Sequence, residues 1–326
     1  MMVENYSKES LAGFHERFKT LESLMQQHIV GQEETVKHVL YAIIAGGHVL
    51  LEGPPGLGKT ELVKQLSSVF ELPFSRIQFT PDLMPSDIVG ATLIDDPKTL
   101  SMSFQKGPIF NSLVLADEIN RGTPKTQSAL LEGMQEYTVT VDNVTHRLPD
   151  PFFVMATKNP LDMEGTFPLP EAQLDRFMFN LIIELPSKNA LMEIMKRTTV
   201  DKQVERSTDT VVQASSLKEM RQLAEQVLVS EEVMSTAVDL MISTHPDQTT
   251  YDIVTKYVKC GVSPRGVQSI IKASRVRALS EGRFHVSDDD IKALALPCFR
   301  HRLFTNYQAY GDDITCDDII ATLTKG

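Results

Sequence analysis

Through the first half of the chain, short apolar runs alternate with segments of helical periodicity, the pattern of an α/β fold built on a parallel sheet. His48-Val49-Leu50-Leu51-Glu52 reads as a buried strand. Residues 59–70 follow as a helix, because Leu62, Val63, Leu66, Val69 and Phe70 recur at helical spacing. Further strands are expected at 76–79, 112–116, 152–156 and 179–184. Over 124–136 the pattern turns helical again, opening on Pro124, whose missing N–H costs nothing in a first turn.

Two segments break the alternation. ATLI and TLSMSF flank the turn DDPK over 91–104, and YTVTV and VTHRL flank Asp142-Asn143 over 137–148, so each reads as a hairpin. Past Pro186 the strand signals fade. Ser216-x-x-Glu219 matches a capping box that opens a helix through Leu228, and Ser230 starts another through Ser243. Ser263 or Pro264 opens a third through Glu281, and Ser287 caps a fourth with Asp288 to Asp290 in its first turn. The expected organisation is an N-terminal helix and α/β core over 1–187, then a small all-α domain with a C-terminal extension over 188–326. A chain of 326 residues suffices for two domains.

Composition narrows the class. At 42% apolar and 23% charged residues the chain is ordinary for a soluble globular protein. No run approaches the roughly 20 apolar residues of a membrane-spanning helix. The opening MMVENYSKESLAGF contains acidic residues and lacks an apolar core, so it does not read as a signal peptide. Cys260, Cys298 and Cys316 lie far apart, which argues against a disulfide framework or a zinc site and fits a reducing, cytoplasmic setting. A net charge of -11 weighs against non-specific attraction to nucleic acid. His48, His146 and His245 have no partners at metal-ligand spacing and read as structural or surface residues.

The strongest chemical signal is GPPGLGKT, spanning Gly53, Pro54, Pro55, Gly56, Leu57, Gly58, Lys59 and Thr60, a full match to G-x-x-x-x-G-K-[ST]. It sits after an expected strand and opens an expected helix, with Glu61 next in line. Glycines let backbone N–H groups turn toward a phosphate, and the helix N-terminus adds positive potential. Lys59 would reach the β- and γ-phosphates of ATP, and Thr60 would offer its hydroxyl to Mg2+. A second acidic site follows in Leu113-Val114-Leu115-Ala116-Asp117-Glu118. Asp117, at the end of its strand, suits a hold on the metal, and Glu118 can polarise the attacking water.

With these residues in view, the chain resembles the MoxR family of AAA+ ATPases. DEINR at 117–121 followed by PKTQSALLEGMQE carries the likeness, together with IVGQ at 29–32, FTPDLMPSDIVG at 79–90 and GPIF at 107–110. ATKNP at 156–160, PLPEAQLDRF at 168–177 and GVSPRG at 261–266 extend it, so that it spans residue 29 to about 285. The resemblance implies a P-loop AAA+ core with a five-stranded parallel sheet, followed by an all-α lid. It makes Asn159 the first sensor, Arg176 the arginine finger that reaches a neighbouring subunit, and Arg265 a second sensor carried by the lid over the nucleotide. It places Val30 and Gly31 in the segment lining the adenine pocket, and makes the hairpins the helix-2 insertion and the hairpin before the first sensor. The sequence departs from the family at Lys158, where Gln is usual.

Three functions follow as candidates. The first is an ATP-driven remodeller: a homo-oligomeric ring, expected to be a hexamer, that activates or matures partner proteins. Such partners often carry a von Willebrand factor A domain, which this chain does not contain and would meet in trans. The second is a nucleic-acid motor, disfavoured by the charge. The third is a nucleotide-gated binding module with little turnover, disfavoured by the presence of Glu118, Asn159 and Arg176.

Overall fold

The computed structural model describes residues 8–96, 101–160, 165–197 and 214–325. Two helices, α1 (Lys8–His28) and α2 (Glu33–Ala45), precede β1 (Val49–Glu52) and α3 (Lys59–Phe70). Then come β2 (Phe74–Gln78), the short α4 (Pro85–Val89), the hairpin β3 (Gly90–Asp96) and β4 (Ser101–Lys106), and β5 (Leu113–Asp117). Helix α5 (Pro124–Glu136) leads into a second hairpin, β6 (Thr138–Val141) and β7 (Val144–Arg147), and on to β8 (Phe153–Lys158), α6 (Glu171–Leu174) and β9 (Phe179–Ile182). Helices α7 (Lys188–Met195), α8 (Ala214–Glu225), α9 (Glu231–Ser243) and α10 (Asp252–Tyr257) follow. The chain closes with β10 (Val258–Cys260), α11 (Pro264–Ser280), α12 (Asp288–Phe299), β11 (Phe304–Thr305), α13 (Tyr307–Gly311) and α14 (Cys316–Lys325).

The main sheet is parallel throughout and has five strands in the order β2-β5-β8-β1-β9. Both its faces are covered, and the alternation of side chains sorts them. Val49, Leu51, Leu113, Leu115, Phe153 and Met155 point into one apolar cluster, whereas Leu50, Val114, Ala116, Val154 and Ala156 point into the other. The first cluster does not stop at the sheet. It continues through α1, α2 and α3 into Val267, Ile270, Leu294 and Phe299 of α11 and α12. The C-terminal helices are therefore fixed against one face of the α/β layer by a shared core.

Local chemistry accounts for the element ends. Thr123 caps α5 by accepting the Thr126 N–H, and Ser230 caps α9 by accepting the Val233 N–H. At the start of α12, Ser287 and Asp290 form a reciprocal capping box, and Asp290 is fully buried between Arg277 and Arg283. The second expected hairpin forms as anticipated, with Asp142 and Asn143 at φ 48° and 64°, the left-handed pair that a two-residue hairpin loop needs. The first hairpin forms over β3 and β4; of its expected turn DDPK at 95–98, Asp95 and Asp96 belong to β3 instead, and 97–98 lie outside the described residues. Ser216 is not a cap. Described helix α8 already includes Ala214, so the Ser216–Glu219 match falls inside the helix.

Candidate active site

Strand order brings three chain segments to the carboxyl edge of the sheet. Because β8 lies between β1 and β5, the residues that follow these strands become neighbours. The loop from Gly53 to Thr60 joins β1 to α3. Gly56 and Gly58 hold φ 84° and 78°, where other residues are strained, and Gly58 is the left-handed N-cap of α3. Gly53 is constrained by space instead, since a Cβ there would sit 2.6 Å from the Ile183 carbonyl oxygen. Pro54, Pro55 and Gly56 are exposed at the tip and Leu57 is half-buried, with Glu61 exposed on α3 beyond. The Gln32 amide donates to the Leu57 carbonyl at 2.9 Å and so ties the loop carrying Val30 and Gly31 to the glycine-rich turn. Gly31 itself packs on Ala190 and Pro186.

Lys59 turns its ammonium back onto the Gly53 carbonyl. Partial burial pulls its pKa below the ordinary lysine value, against the opposing pull of Asp117, Glu118 and Glu52. The ammonium is thus held against the loop, within the electrostatic reach of three carboxylates.

Asp117 ends β5, and Glu118 follows at φ 55°, a conformation costly for a residue with a Cβ. One buried side chain holds both: the Thr157 hydroxyl donates to Asp117 Oδ1 at 2.6 Å and accepts the Glu118 N–H at 2.8 Å. From β2, Arg76 Nη2 donates to Asp117 Oδ2 at 2.6 Å, and Gln78 Nε2 donates to Glu118 Oε2 at 3.0 Å. Arg121 reaches the same Glu118 oxygen at 3.3 Å. Sequence reading missed Thr157, Arg76 and Gln78. The i, i+2 spacing of Arg76 and Gln78 puts them on one face of β2, but only the pairing of β2 with β5 shows what that face meets. Asn159, 6% exposed, follows β8 between the glycine-rich loop and the acidic pair. Its neighbour Lys158 pairs with Glu52 at 3.3 Å, so the departure at this position is absorbed by the last residue of β1.

Arg176 and Arg265 lie elsewhere. Both line a cavity of about 300 Å³ with Gly47, His48 and Lys272, beside the residues that precede β1 and β9. This is the amino edge of the sheet, separated from the glycine-rich loop by the length of β1, roughly 15 Å at about 3.3 Å per residue. Arg176 Nη1 donates to the Leu131 carbonyl, and its Nε is buried without a hydrogen-bond partner. Arg265, in the first turn of α11, lies 3.9 Å from Asp175. The resemblance led to the expectation of Arg265 on the lid over the nucleotide; within this chain it is not beside the glycine-rich loop. It instead stands beside Arg176, because the shared core fixes α11 with its N-terminus next to Asp175.

The comparisons with known proteins bear on the family and the fold. The profile of the "ATPase family associated with various cellular activities (AAA)" matches residues 48–179, and that of the AAA lid domain matches residues 250–323. The chain is 40% identical to the uncharacterized protein YeaC of Bacillus subtilis over 90% of its own length and 88% of that protein's. It is 39% identical to the chaperone MoxR1 of Mycobacterium tuberculosis, over 90% of this chain and 77% of that one. The chain belongs to the MoxR family of AAA+ ATPases. The crystal structure of a protein from Cytophaga hutchinsonii to which ATPase activity is ascribed superposes with a TM-score of 0.90. It covers 97% of this chain and 96% of that one at 35% identity.

The donor set suits the magnesium ion that accompanies ATP in P-loop proteins. Among the described residues no cluster of three or more His, Cys, Asp or Glu side chains could form an all-protein metal cage. Magnesium bound with a nucleotide needs only one or two protein oxygens, the rest coming from phosphates and water. The Thr60 hydroxyl and Asp117 carboxylate would supply that number. No described helix is long and apolar enough to cross a membrane.

Proposed function

We propose that this MoxR-family protein hydrolyses ATP at the interfaces of a ring of identical subunits, a hexamer in our reading, and uses the cycle to remodel partner proteins. The observation that carries the reading is the separation of its two half-sites. The glycine-rich loop, Asp117, Glu118 and Asn159 stand at one edge of the sheet, and Arg176 and Arg265 stand at the other. No single chain can bring them together on one nucleotide, whereas a neighbour's amino edge set against this carboxyl edge does so.

Each residue then has a task. Backbone N–H groups of 53–60 and the Lys59 ammonium hold the phosphates, and Val30 and Gly31 border the base. Thr60 and Asp117 would hold Mg2+, which would supply positive charge to offset that of the phosphates. Glu118, aimed by Thr157 and Gln78, accepts a proton from the attacking water, and Asn159 orients that water. Arg176 and Arg265 of the adjacent subunit stabilise charge on the transferring phosphoryl group.

The exposed apolar side chains of the hairpins, Leu93, Ile94 and Met102 on one and Val144 on the other, favour a protein client over a nucleic acid. The chaperone name of the mycobacterial relative points the same way. A partner with a von Willebrand factor A domain, supplied in trans, fits the family, and a cytoplasmic setting fits three free cysteines. We place the boundary between core and lid at residues 187–188.

With Mg2+ the purified protein is expected to hydrolyse ATP. Glu118→Gln should retain nucleotide binding and lose about 10²–10⁴-fold in kcat. Equal turnover by the two proteins would exclude Glu118 as the base.

A further inference from the structure

Next to Arg176 lies a buried arginine that the ATPase reaction itself does not call on. Arg302, 3% exposed, enters from the turn after α12 and wraps the segment before β9. Its Nε donates to Asp175 Oδ1 at 2.7 Å. Its Nη2 donates to the Asp175 carbonyl at 3.0 Å, the Phe177 carbonyl at 2.6 Å and Ser269 Oγ at 3.1 Å, and its Nη1 to the Met178 carbonyl at 3.3 Å. The guanidinium thus grips the backbone on both sides of Arg176. The adjacent His301 adds a bond from Nε2 to the Phe177 carbonyl at 2.9 Å. Asp175 is held from a second direction as well, since its Oδ1 accepts the Ser263 hydroxyl at 2.7 Å and its Oδ2 faces Arg265 at 3.9 Å. Ser263 stands at the N-cap position of α11, the helix whose first turn bears Arg265, and spends its hydroxyl on Asp175 rather than on a capping bond.

We infer that Arg302 and Asp175 form a buried pin that sets the position of Arg176 relative to Arg265, so that the two reach the neighbouring subunit's nucleotide as one preformed pair. This rests on the reading that both arginines act in trans. Planar, multidentate donation suits such a role, because one guanidinium fixes several oxygens at once and a lysine cannot. Arg302 touches no nucleotide and acts through the two arginines, so it is a positioning residue.

Asp175→Asn keeps the side-chain shape and removes the charge, and Arg302→Met removes the pin outright. Both are expected to lower kcat by about 10²-fold, the cost of a misplacement near 1 Å. KM should stay within about threefold, because each chain's own nucleotide site is untouched. The deciding measurement mixes either variant with Glu118→Gln chains, whose own sites are dead but whose arginines are intact. Activity should then rise above that of both parents, since a variant's site can meet an intact arginine pair from its neighbour. A defect within the variant's own site would not be relieved in this way.

Asp175→Asn with full kcat, or with a loss that mixing does not relieve, would overturn the proposal. Should Arg302→Met fail to fold, Asp175→Asn alone carries the test. Arg176→Ala in the same mixtures separates the two readings. If it too is not relieved, the trans assignment falls; if it is relieved and Asp175→Asn is not, only the pin falls.

Discussion

Thr157 does for the acidic pair what no surface residue could: one hydroxyl satisfies the Asp117 carboxylate and the backbone N–H of a strained Glu118. Thr157→Val preserves shape but leaves the Glu118 N–H without its acceptor, which costs about 1–3 kcal/mol. Urea unfolding should show that loss, and kcat should fall about tenfold or more as Glu118 drifts from its aim. His48 makes a different prediction. Its Nε2 donates to the Met134 carbonyl and its Nδ1 accepts the Val154 N–H, so the ring is neutral with the proton on Nε2. Burial pushes its pKa down to about 4 from an ordinary 6.5. The unfolded chain therefore takes up the proton first. The stability that His48 contributes is complete above pH 6.5 and is lost as pH falls toward 4, by an amount of about 3 kcal/mol. In His48→Gln the stability-versus-pH curve should be flatter across that window, and an unchanged slope would count against the neutral ring. Lys59, Thr60, Asp117 and Glu118 could be singled out in the sequence because the spacing of their motifs along the chain marks them. Thr157, Arg76 and Gln78 were not, because their roles arise only when β2, β5 and β8 lie side by side.

At the scale of elements, the two hairpins are coupled. Phe104 of β4 stacks on His146 of β7 with ring centroids 4.1 Å apart, and Phe110 meets both rings edge-on. A displacement of one hairpin would thereby bear directly on the other. Phe104→Ala should raise amide hydrogen exchange in 138–147 while leaving the main sheet protected. Unchanged exchange there would mean that the hairpins move independently. Periodicity and turn chemistry made most elements readable: the Asp142-Asn143 hairpin and the caps at Ser230 and Ser287 all form. The Ser216–Glu219 match failed because a capping box is a local pattern, and helix α8 already includes Ala214. The stack between hairpins was invisible, since Phe104 and His146 are distant in the chain and met only through the fold.

For the whole molecule, the decisive feature is that the lid and the α/β layer share one apolar cluster. That packing seats α11 against the amino edge of the sheet and sets Arg265 beside Arg176. Family motifs identified both arginines, but no spacing in the sequence tells which edge of the sheet the lid will cover. On the proposed reading, the two half-sites are completed between subunits. The most direct test is ATPase rate per chain over a dilution series, with sedimentation in the same buffer to report assembly. The rate per chain should climb with association and vanish in the monomer, and Arg176→Ala should stay low at every concentration. A rate per chain that is constant from assembled ring to monomer would contradict hydrolysis at subunit interfaces.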